Sequence, residues 1–292
     1  VVASEQFTGW AFVTPGVAII LLFGAVPIVW SAVMSFQKSN LLTPSTPFVG
    51  LKNYKQLVHD PIVGQAIQHT LIYTALFVPG TMIVGLFLAV AMNRQIRFIS
   101  VYRTAAFATM AISTISEAIV FIWLFDPSYG VVNYFLSLVG IPAQPWVNSP
   151  SQALYVIVIM TIWGWTGFSV VVYLAALQGV PQTLIEAAAI DGAGPWRTFR
   201  RVTLPLLSPA SLFLAVWLTI NALQLFDEVY LSTQGGPLNA TTVLVYYLYE
   251  QAFQNFNFGY ASAIAYFLFL IIIVVTAIQF RVGRRFTYYR SR

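Results

Sequence analysis

Long apolar runs alternate with short polar intervals along this chain, and six of the runs are long enough to cross a bilayer as helices, which takes about 20 residues each. They fall at roughly 10–35, 70–92, 104–125, 153–177, 210–231 and 260–281. Pro27 and Pro79 lie inside spans, where neighbouring helices are expected to re-satisfy the carbonyls that proline frees. The polar intervals carry signals of their own. Leu51-Lys52-Asn53-Tyr54-Lys55-Gln56-Leu57 reads as a short amphipathic turn suited to a membrane surface. Gly130–Gly140 reads as a short helix closed by Pro142 and Pro145, and Gly235-Gly236-Pro237 as a tight turn. The expected fold class is an all-α integral membrane protein with six transmembrane helices, forming one transmembrane domain over 1–292.

Composition agrees with that pattern. A soluble domain is charged at about a quarter of its positions; here 8% are charged and 59% hydrophobic, and mean hydropathy is +0.78. The chain has no Cys, which excludes disulfides, thiolate metal sites and a Cys nucleophile. His59 and His69 alone do not supply the three or four ligands that a zinc site needs. The first apolar run is too long for a secretory signal and no small-residue cleavage pattern follows it.

Charge then sets orientation. The Arg residues are Arg94, Arg97, Arg103, Arg197, Arg200, Arg201, Arg281, Arg284, Arg285, Arg290 and Arg292, and six spans put them all on one side. Lys38, Lys52 and Lys55 fall on the other. The Arg side is therefore expected in the cytoplasm, with both termini and the 178–209 loop. The net charge of +5 orients the chain in a membrane rather than marking a nucleic-acid binder.

The 178–209 loop is far longer than a helix connection needs. Pro181 suits a first helical turn, Leu184 to Ile190 reads as a short helix, and Gly192 suits its left-handed end. Pro195 opens a second helix, Trp196 to Thr203, which Pro205 is expected to stop. Ala187, Ala188, Ala189 and Ala193 allow close approach by another surface, and Trp196 and Phe199 offer apolar anchors.

Glu186-Ala187-Ala188, Asp191-Gly192-Ala193, Phe199, Leu204-Pro205 and Pro209 together resemble the EAA motif of binding-protein-dependent ABC importer permeases, with Val202 where Ile is more usual. Phe48-Val49-Gly50-Leu51-Lys52-Asn53-Tyr54, Phe226-Asp227, Tyr230 and Gly235-Gly236-Pro237 resemble the carbohydrate subgroup of maltose-type and glycerol-3-phosphate-type permeases. Leu184-Ile185 through Gly194-Pro195, with Ala240-Thr241-Thr242, is most similar to the glycerol-3-phosphate permeases. The resemblance implies a cytoplasmic coupling helix that sits in a cleft of an ATP-hydrolysing subunit. Glu186, Ala187, Ala188, Asp191, Gly192, Ala193, Phe199, Leu204 and Pro205 would carry that contact.

Polar residues inside the spans are candidates for a solute path, because an ionisable group facing lipid costs several kcal/mol. Trp217, Asn221, Gln224 and Glu228, spaced by four, three and four, form a stripe about 60° wide on a continuous helix. Amides, carboxylates and aromatic faces suit a carbohydrate; a polar seam between helices is the alternative reading. Thr109, Ser113, Ser116 and Glu117 fall on one side of the third span, and Thr161, Trp165 and Ser169 on one face of the fourth. Glu117 is read as the sole carboxylate near the middle of a span, able either to meet solute or to bond a neighbouring helix. No Lys or Arg lies in a span away from its ends, which suits a neutral, hydroxyl-rich solute better than a phosphorylated one.

The expected protein is thus a permease subunit, not an enzyme, in the inner or plasma membrane of a bacterium. Its partners would be a second homologous permease, two ATP-binding subunits and an extracytoplasmic solute-binding protein, with no nucleic acid. The chain has no G-x-x-x-x-G-K-[ST] phosphate loop, so ATP and Mg²⁺ are expected on the partner ATPase and no cofactor on this chain. Two other classes are open: a proton-coupled secondary transporter with Glu117 as relay, and an intramembrane enzyme using Glu117 and Asp227. The enzyme requires both carboxylates at one depth, and the spans place them at different depths.

Overall fold

The structure is a computed structural model that describes residues 2–40, 45–93 and 97–286. Arg94, Arg290 and Arg292, three of the residues used for orientation, lie outside the described residues. In chain order the helices are α1 (Val2–Ile20), α2 (Val26–Ser35), α3 (Lys52–His59), α4 (Pro61–Met92), α5 (Ile99–Ala108) and α6 (Thr114–Leu124). There follow α7 (Val131–Leu138), α8 (Ala153–Gln178), α9 (Gln182–Ile190), α10 (Pro195–Thr198), α11 (Leu204–Leu206) and α12 (Ser208–Leu223). The last three are α13 (Asp227–Ser232), α14 (Leu244–Tyr249) and α15 (Phe258–Phe286). Among the described residues no strand forms; the only β pairs are the isolated bridges Gln37–Phe48 and Asn40–Asn257.

Among the described residues four helices are long and apolar enough to cross a membrane unbroken: Trp10–Ser35, Pro61–Met92, Ala153–Gln178 and Phe258–Arg285. The third and fifth expected spans are instead bent pairs. Ile99–Ala111 and Thr114–Leu124 meet at 103°, and Pro195–Leu206 and Ser208–Leu223 at 62°, which brings the number of spans to six if each pair is one. At the first break Thr109–Ala111 tightens to a 3-10 turn and Ser113 is extended, at ψ 140°. Ser and Thr side chains compete with helical backbone bonds, and Ile and Thr lose rotamers in a helix, so Thr109, Ile112, Ser113 and Thr114 make a natural interruption.

Pro27 and Pro205 each follow a widened helical turn, whereas Pro79 lies inside the regular helix α4. Leu21–Ala25 is a π turn that closes with Val26 N–H on Leu21 O, two residues before Pro27. Phe199–Thr203 is another, two residues before Pro205. A π turn shifts the hydrogen-bond register by one residue, which relieves the missing N–H and the clash that proline brings. Pro205 therefore does not stop its helix as expected; the chain stays helical through Leu206 and bends at Leu207.

The chain divides into two compact units, 1–63 with 247–269 and 64–246 with 270–292. In the first, Trp10, Phe12, Phe23 and Trp30 are at least two-thirds exposed, a surface for lipid or for a partner helix rather than for a core. α3 is amphipathic as expected: Leu57 and Asn53 are buried, and the Asn53 amide donates to the carbonyls of Ser35 (2.8 Å) and Gln37 (3.0 Å). Asp60 pins the unit. Its Oδ2 accepts the hydroxyls of Tyr247 and Tyr260, each at 2.7 Å, and its Oδ1 accepts Ile62 N–H at 2.9 Å.

In the second unit α8 is the central helix. Val156, Ile157 and Val158 are all buried although they point in three directions, so other elements surround it; α5, α6, α12 and α13 pack on it. The 126–152 segment is held by Asn133, whose amide donates to the carbonyls of Pro127 and Gln144 and whose oxygen accepts Gln144 N–H and Trp146 Nε1–H. After the Gly235-Gly236-Pro237 turn, His69 meets Thr242 O at 3.0 Å and Thr70 Oγ1 accepts Leu244 N–H at 3.2 Å.

Burial raises the Asp60 carboxyl, and the hydrogen bonds from Tyr247, Tyr260, Ile62 and Val63 lower it by more, leaving it below its ordinary range. A depressed carboxylate contributes its stability above the unfolded value of about 4 and loses it as pH falls through the folded value. Asp60→Ala leaves two buried hydroxyls without their acceptor, at about 1–3 kcal/mol each. Thermal unfolding of the detergent-solubilised protein should therefore drop clearly for Asp60→Ala, less for Asp60→Asn, and the gap should close below about pH 4. An Asp60→Ala protein as heat-resistant as the parent at pH 7 would remove Asp60 as the pin.

Candidate functional site

Two features concentrate polar chemistry in the second unit: the α9–α11 element and a pair of cavities beside α8. Pro181 precedes α9, whose last turn closes with Ala193 N–H on Ala188 O (2.9 Å) and Gly192 N–H on Ala189 O (3.0 Å). That pair of bonds is a Schellman end, which needs its C′ residue in the left-handed region. Gly192 has φ +73°, as its position in the sequence required, and a Cβ there meets nothing within 4 Å. Glycine is therefore demanded by the dihedral rather than by crowding. Pro195 opens α10.

The element is turned outward. Glu186, Ala187 and Asp191 are exposed, Ile190 is 87% exposed and Trp196 73%. Ala188, Ala193 and Phe199 are half-buried, and Trp196 stacks on Phe199 with ring centroids 5.8 Å apart. Leu204 and Pro205 continue the same helix towards the bend at buried Leu207. The exposed Trp and Ile beside a row of alanines make an apolar patch on the surface of this chain.

The first cavity, of about 270 Å³, is lined among others by Asn221, Gln224, Asp227 and Glu228 on one side and by Trp165, Tyr73 and Phe77 on the other. Tyr73 and Phe77 stack at 5.3 Å and Phe77 meets Trp165 edge-on at 6.4 Å, which makes an aromatic wall facing amides and carboxylates. The second cavity, of about 220 Å³, contains Glu117, Thr109, Gly164 and Phe168. The two share Thr114, Trp165 and Glu228. Their sizes fall near the lower end of small-ligand sites, about 300–1,000 Å³.

The structure brings some of the expected residues together by a route other than the expected one. α12 ends at Leu223, Gln224 is already its C-cap, and Glu228 sits on the separate helix α13. The stripe on one continuous helix does not exist; Asn221, Gln224 and Glu228 line one cavity from the end of α12, its cap and the separate helix α13. Trp217 points elsewhere, against Phe213 and Phe168, and its carbonyl accepts the Asn221 amide at 2.8 Å. Ser169 is fully buried and outside both cavities, at the place where a Cβ on Gly85 of α4 would sit 2.1 Å from its Oγ. The Thr109–Ser113–Ser116–Glu117 face is lost at the 103° break, which leaves Thr109 and Glu117 in the second cavity.

Glu117 also has company that sequence spacing did not reveal. α13 packs on α6, so Glu228 borders the cavity that holds Glu117, and Asp227 borders the adjoining one. Glu117 lies in the first turn of α6, where the helix dipole favours negative charge. Tyr73, Phe77 and Thr114 line the site and were not singled out from the sequence. The one available signal was that α4 positions 73 and 77 put two aromatics on one helical face.

Comparison with known proteins agrees with the helical arrangement. The sequence model of the family described as "Binding-protein-dependent transport system inner membrane component" matches residues 81–288. The lactose transport system permease protein of Rhizobium radiobacter is 38% identical over 84% of this chain and 83% of its own. The sn-glycerol-3-phosphate transport system permease protein of Yersinia pestis bv. Antiqua is 36% identical over 93% of this chain and 91% of its own. Among solved structures, a bacterial alginate ABC transporter in complex with alginate pentasaccharide-bound periplasmic protein shares the fold at TM-score 0.86 and 24% identity, covering 99% of this chain and 98% of its own. An all-helical chain with up to six spans, an outward-turned helix–Gly–helix loop and these relatives is a multi-pass membrane protein, and it belongs to the family of binding-protein-dependent transport system inner membrane components.

Proposed function

We propose that the chain is the permease subunit of an ATP-driven ABC importer that carries a sugar or glycerol-3-phosphate-type solute into the cytoplasm of a bacterium. The observation that carries this reading is the Schellman-ended α9 with its exposed Glu186, Ile190 and Trp196, in a chain of the binding-protein-dependent family. In this reading Glu186, Ala187, Ala188, Asp191, Gly192, Ala193, Phe199, Leu204 and Pro205 form the contact with an ATP-binding subunit. A second homologous permease completes the path, a second ATP-binding subunit docks on it, and an extracytoplasmic solute-binding protein delivers the solute. ATP and Mg²⁺ bind the ATPase subunits, where hydrolysis occurs. Family membership favours this over a proton-coupled transporter, which needs no docking loop.

The solute path in this reading runs through the cavities, with Asn221, Gln224, Glu228, Glu117 and Trp165 facing it. Amides and carboxylates bond sugar hydroxyls, and the aromatic wall meets their C–H faces. ATP binding biases the equilibrium between inward- and outward-facing states.

Three outcomes test the reading. Gly192→Val forces a β-branched residue to positive φ, at a cost of about 1–2 kcal/mol or more, and should leave the protein inserted while lowering co-purification of the ATPase. Gly192→Asn, which tolerates that dihedral, should keep it; normal transport by the Val variant would remove the coupling assignment. For orientation, single Cys probes at Ser137 and Thr198 should label from opposite faces, Thr198 from the cytoplasm. Labelling of Thr198 from outside intact cells is incompatible with the topology. Finally, Asn221→Leu and Gln224→Leu should each weaken uptake roughly fivefold, the effect of one lost hydrogen bond of about 1 kcal/mol, while the complex still assembles. Loss of assembly first would make them helix seams instead.

A further inference from the structure

The Glu117 carboxylate is buried, with 8% of the residue exposed, and its Oε1 has no hydrogen-bond partner. It is seated against α8 at Gly164: a Cβ there would lie 2.5 Å from each carboxylate oxygen. Only glycine leaves room for the carboxylate in this place. An ionised carboxylate is acceptor-only, and leaving it buried without a donor is costly. Oε1 itself is closed off from water, but the residue borders the second cavity, where its carboxyl group and that of Glu228 set the charge that an occupant meets.

The surroundings narrow what that occupant is. Glu228 borders the same cavity, Asp227 borders the adjoining one, and among the described residues neither Lys nor Arg lines either. A phosphate or carboxylate entering here would be acceptor-only as well, and like charges repel strongly once water is excluded. A hydroxyl-rich neutral solute supplies O–H donors to Glu117 and Glu228 and C–H faces to Trp165.

We propose that Glu117 and Glu228 form a charge filter that admits neutral polyhydroxylated solutes and rejects phosphate monoesters and sugar acids. The proposal rests on the permease reading above and selects among its solutes. It makes Gly164 a positioning residue, since any larger side chain displaces Glu117 from the cavity wall.

The chain has no Cys, so a single Thr114→Cys, on a residue shared by both cavities, reports their charge directly. The complex is purified with its native partners, and this chain is read by mass spectrometry after treatment with cationic aminoethyl or anionic sulfonatoethyl methanethiosulfonate. The cation-to-anion rate ratio at Thr114→Cys should exceed that of a free thiol by about tenfold or more, the scale of charge focusing in a cleft. It should fall towards the free-thiol ratio with Glu117→Gln and Glu228→Gln together, or part of the way with Glu117→Gln alone if the pair does not assemble. Ser137→Cys serves as the exposed control at the free-thiol ratio. A free-thiol ratio in the parent overturns the proposal, including the case in which a partner subunit presents a facing cation. A ratio unmoved by neutralising the glutamates overturns it too. The labelling needs no transport, so failure of the permease reading shows separately, as absence of an ATPase from the same preparation.

Discussion

Backbone N–H and C=O groups cannot be left unpaired in lipid, and that constraint organises this molecule more than any side-chain contact does. It makes every described regular element helical. It also restricts where the helices can be interrupted. The break between α5 and α6 and the end of α12 both expose backbone, and both border the cavities: Thr109, Ile112 and Thr114 line one side, Gln224, Leu225 and Phe226 another. Irregular backbone at such positions is tolerated where it faces a cavity within protein. The polar site is therefore a consequence of how the spans are broken, and the same breaks deliver Glu117 and Glu228 to it from two different helices.

Proline follows the same logic. Pro27 and Pro205 would each orphan a carbonyl, and each is preceded by a π turn that reassigns the register locally. The second of these turns lies between α10 and the 62° bend, so the segment linking the outward-turned element to α12 is a modified helix rather than a loop. The chain is helical from Pro195 to Leu206 and bends at buried Leu207, so the outward-turned end and the packed end belong to one helical segment.

Family and solute are separable questions here. The residues that resemble the EAA motif lie on an outward-turned element, with Glu186, Ala187 and Asp191 exposed. The polar groups that line the cavities lie beside α8 and come from α6, the end of α12 and α13, with aromatic side chains from α4 and α8. Relatives named for a sugar and for a sugar-alcohol phosphate are about equally similar to this chain. Solute preference therefore has to be read from the charge and donor pattern of the two cavities, which among the described residues are lined by three carboxylates and no basic residue.

The sequence alone determined what depends on local rules. Apolar runs of the required length marked the spans, Gly192 marked a left-handed helix end that the dihedral bears out, and Gly130–Gly140 and Leu51–Leu57 marked the short helices α7 and α3. Each depends on residues within a few positions of one another. Tertiary structure decided what depends on direction. A run of apolar residues looks the same whether it is straight or folded back by 103°, because lipid and protein interior are equally apolar, and hydrophobic periodicity carries no record of the bend. Helical spacing thus put Trp217 on a stripe with Glu228 and set Glu117 apart, whereas the fold turns Trp217 towards Phe168 and packs α13 against α6. Long-range packing of chemically similar surfaces is selected by shape, by contacts such as Glu117 seated on Gly164, and those are written across the chain rather than along it.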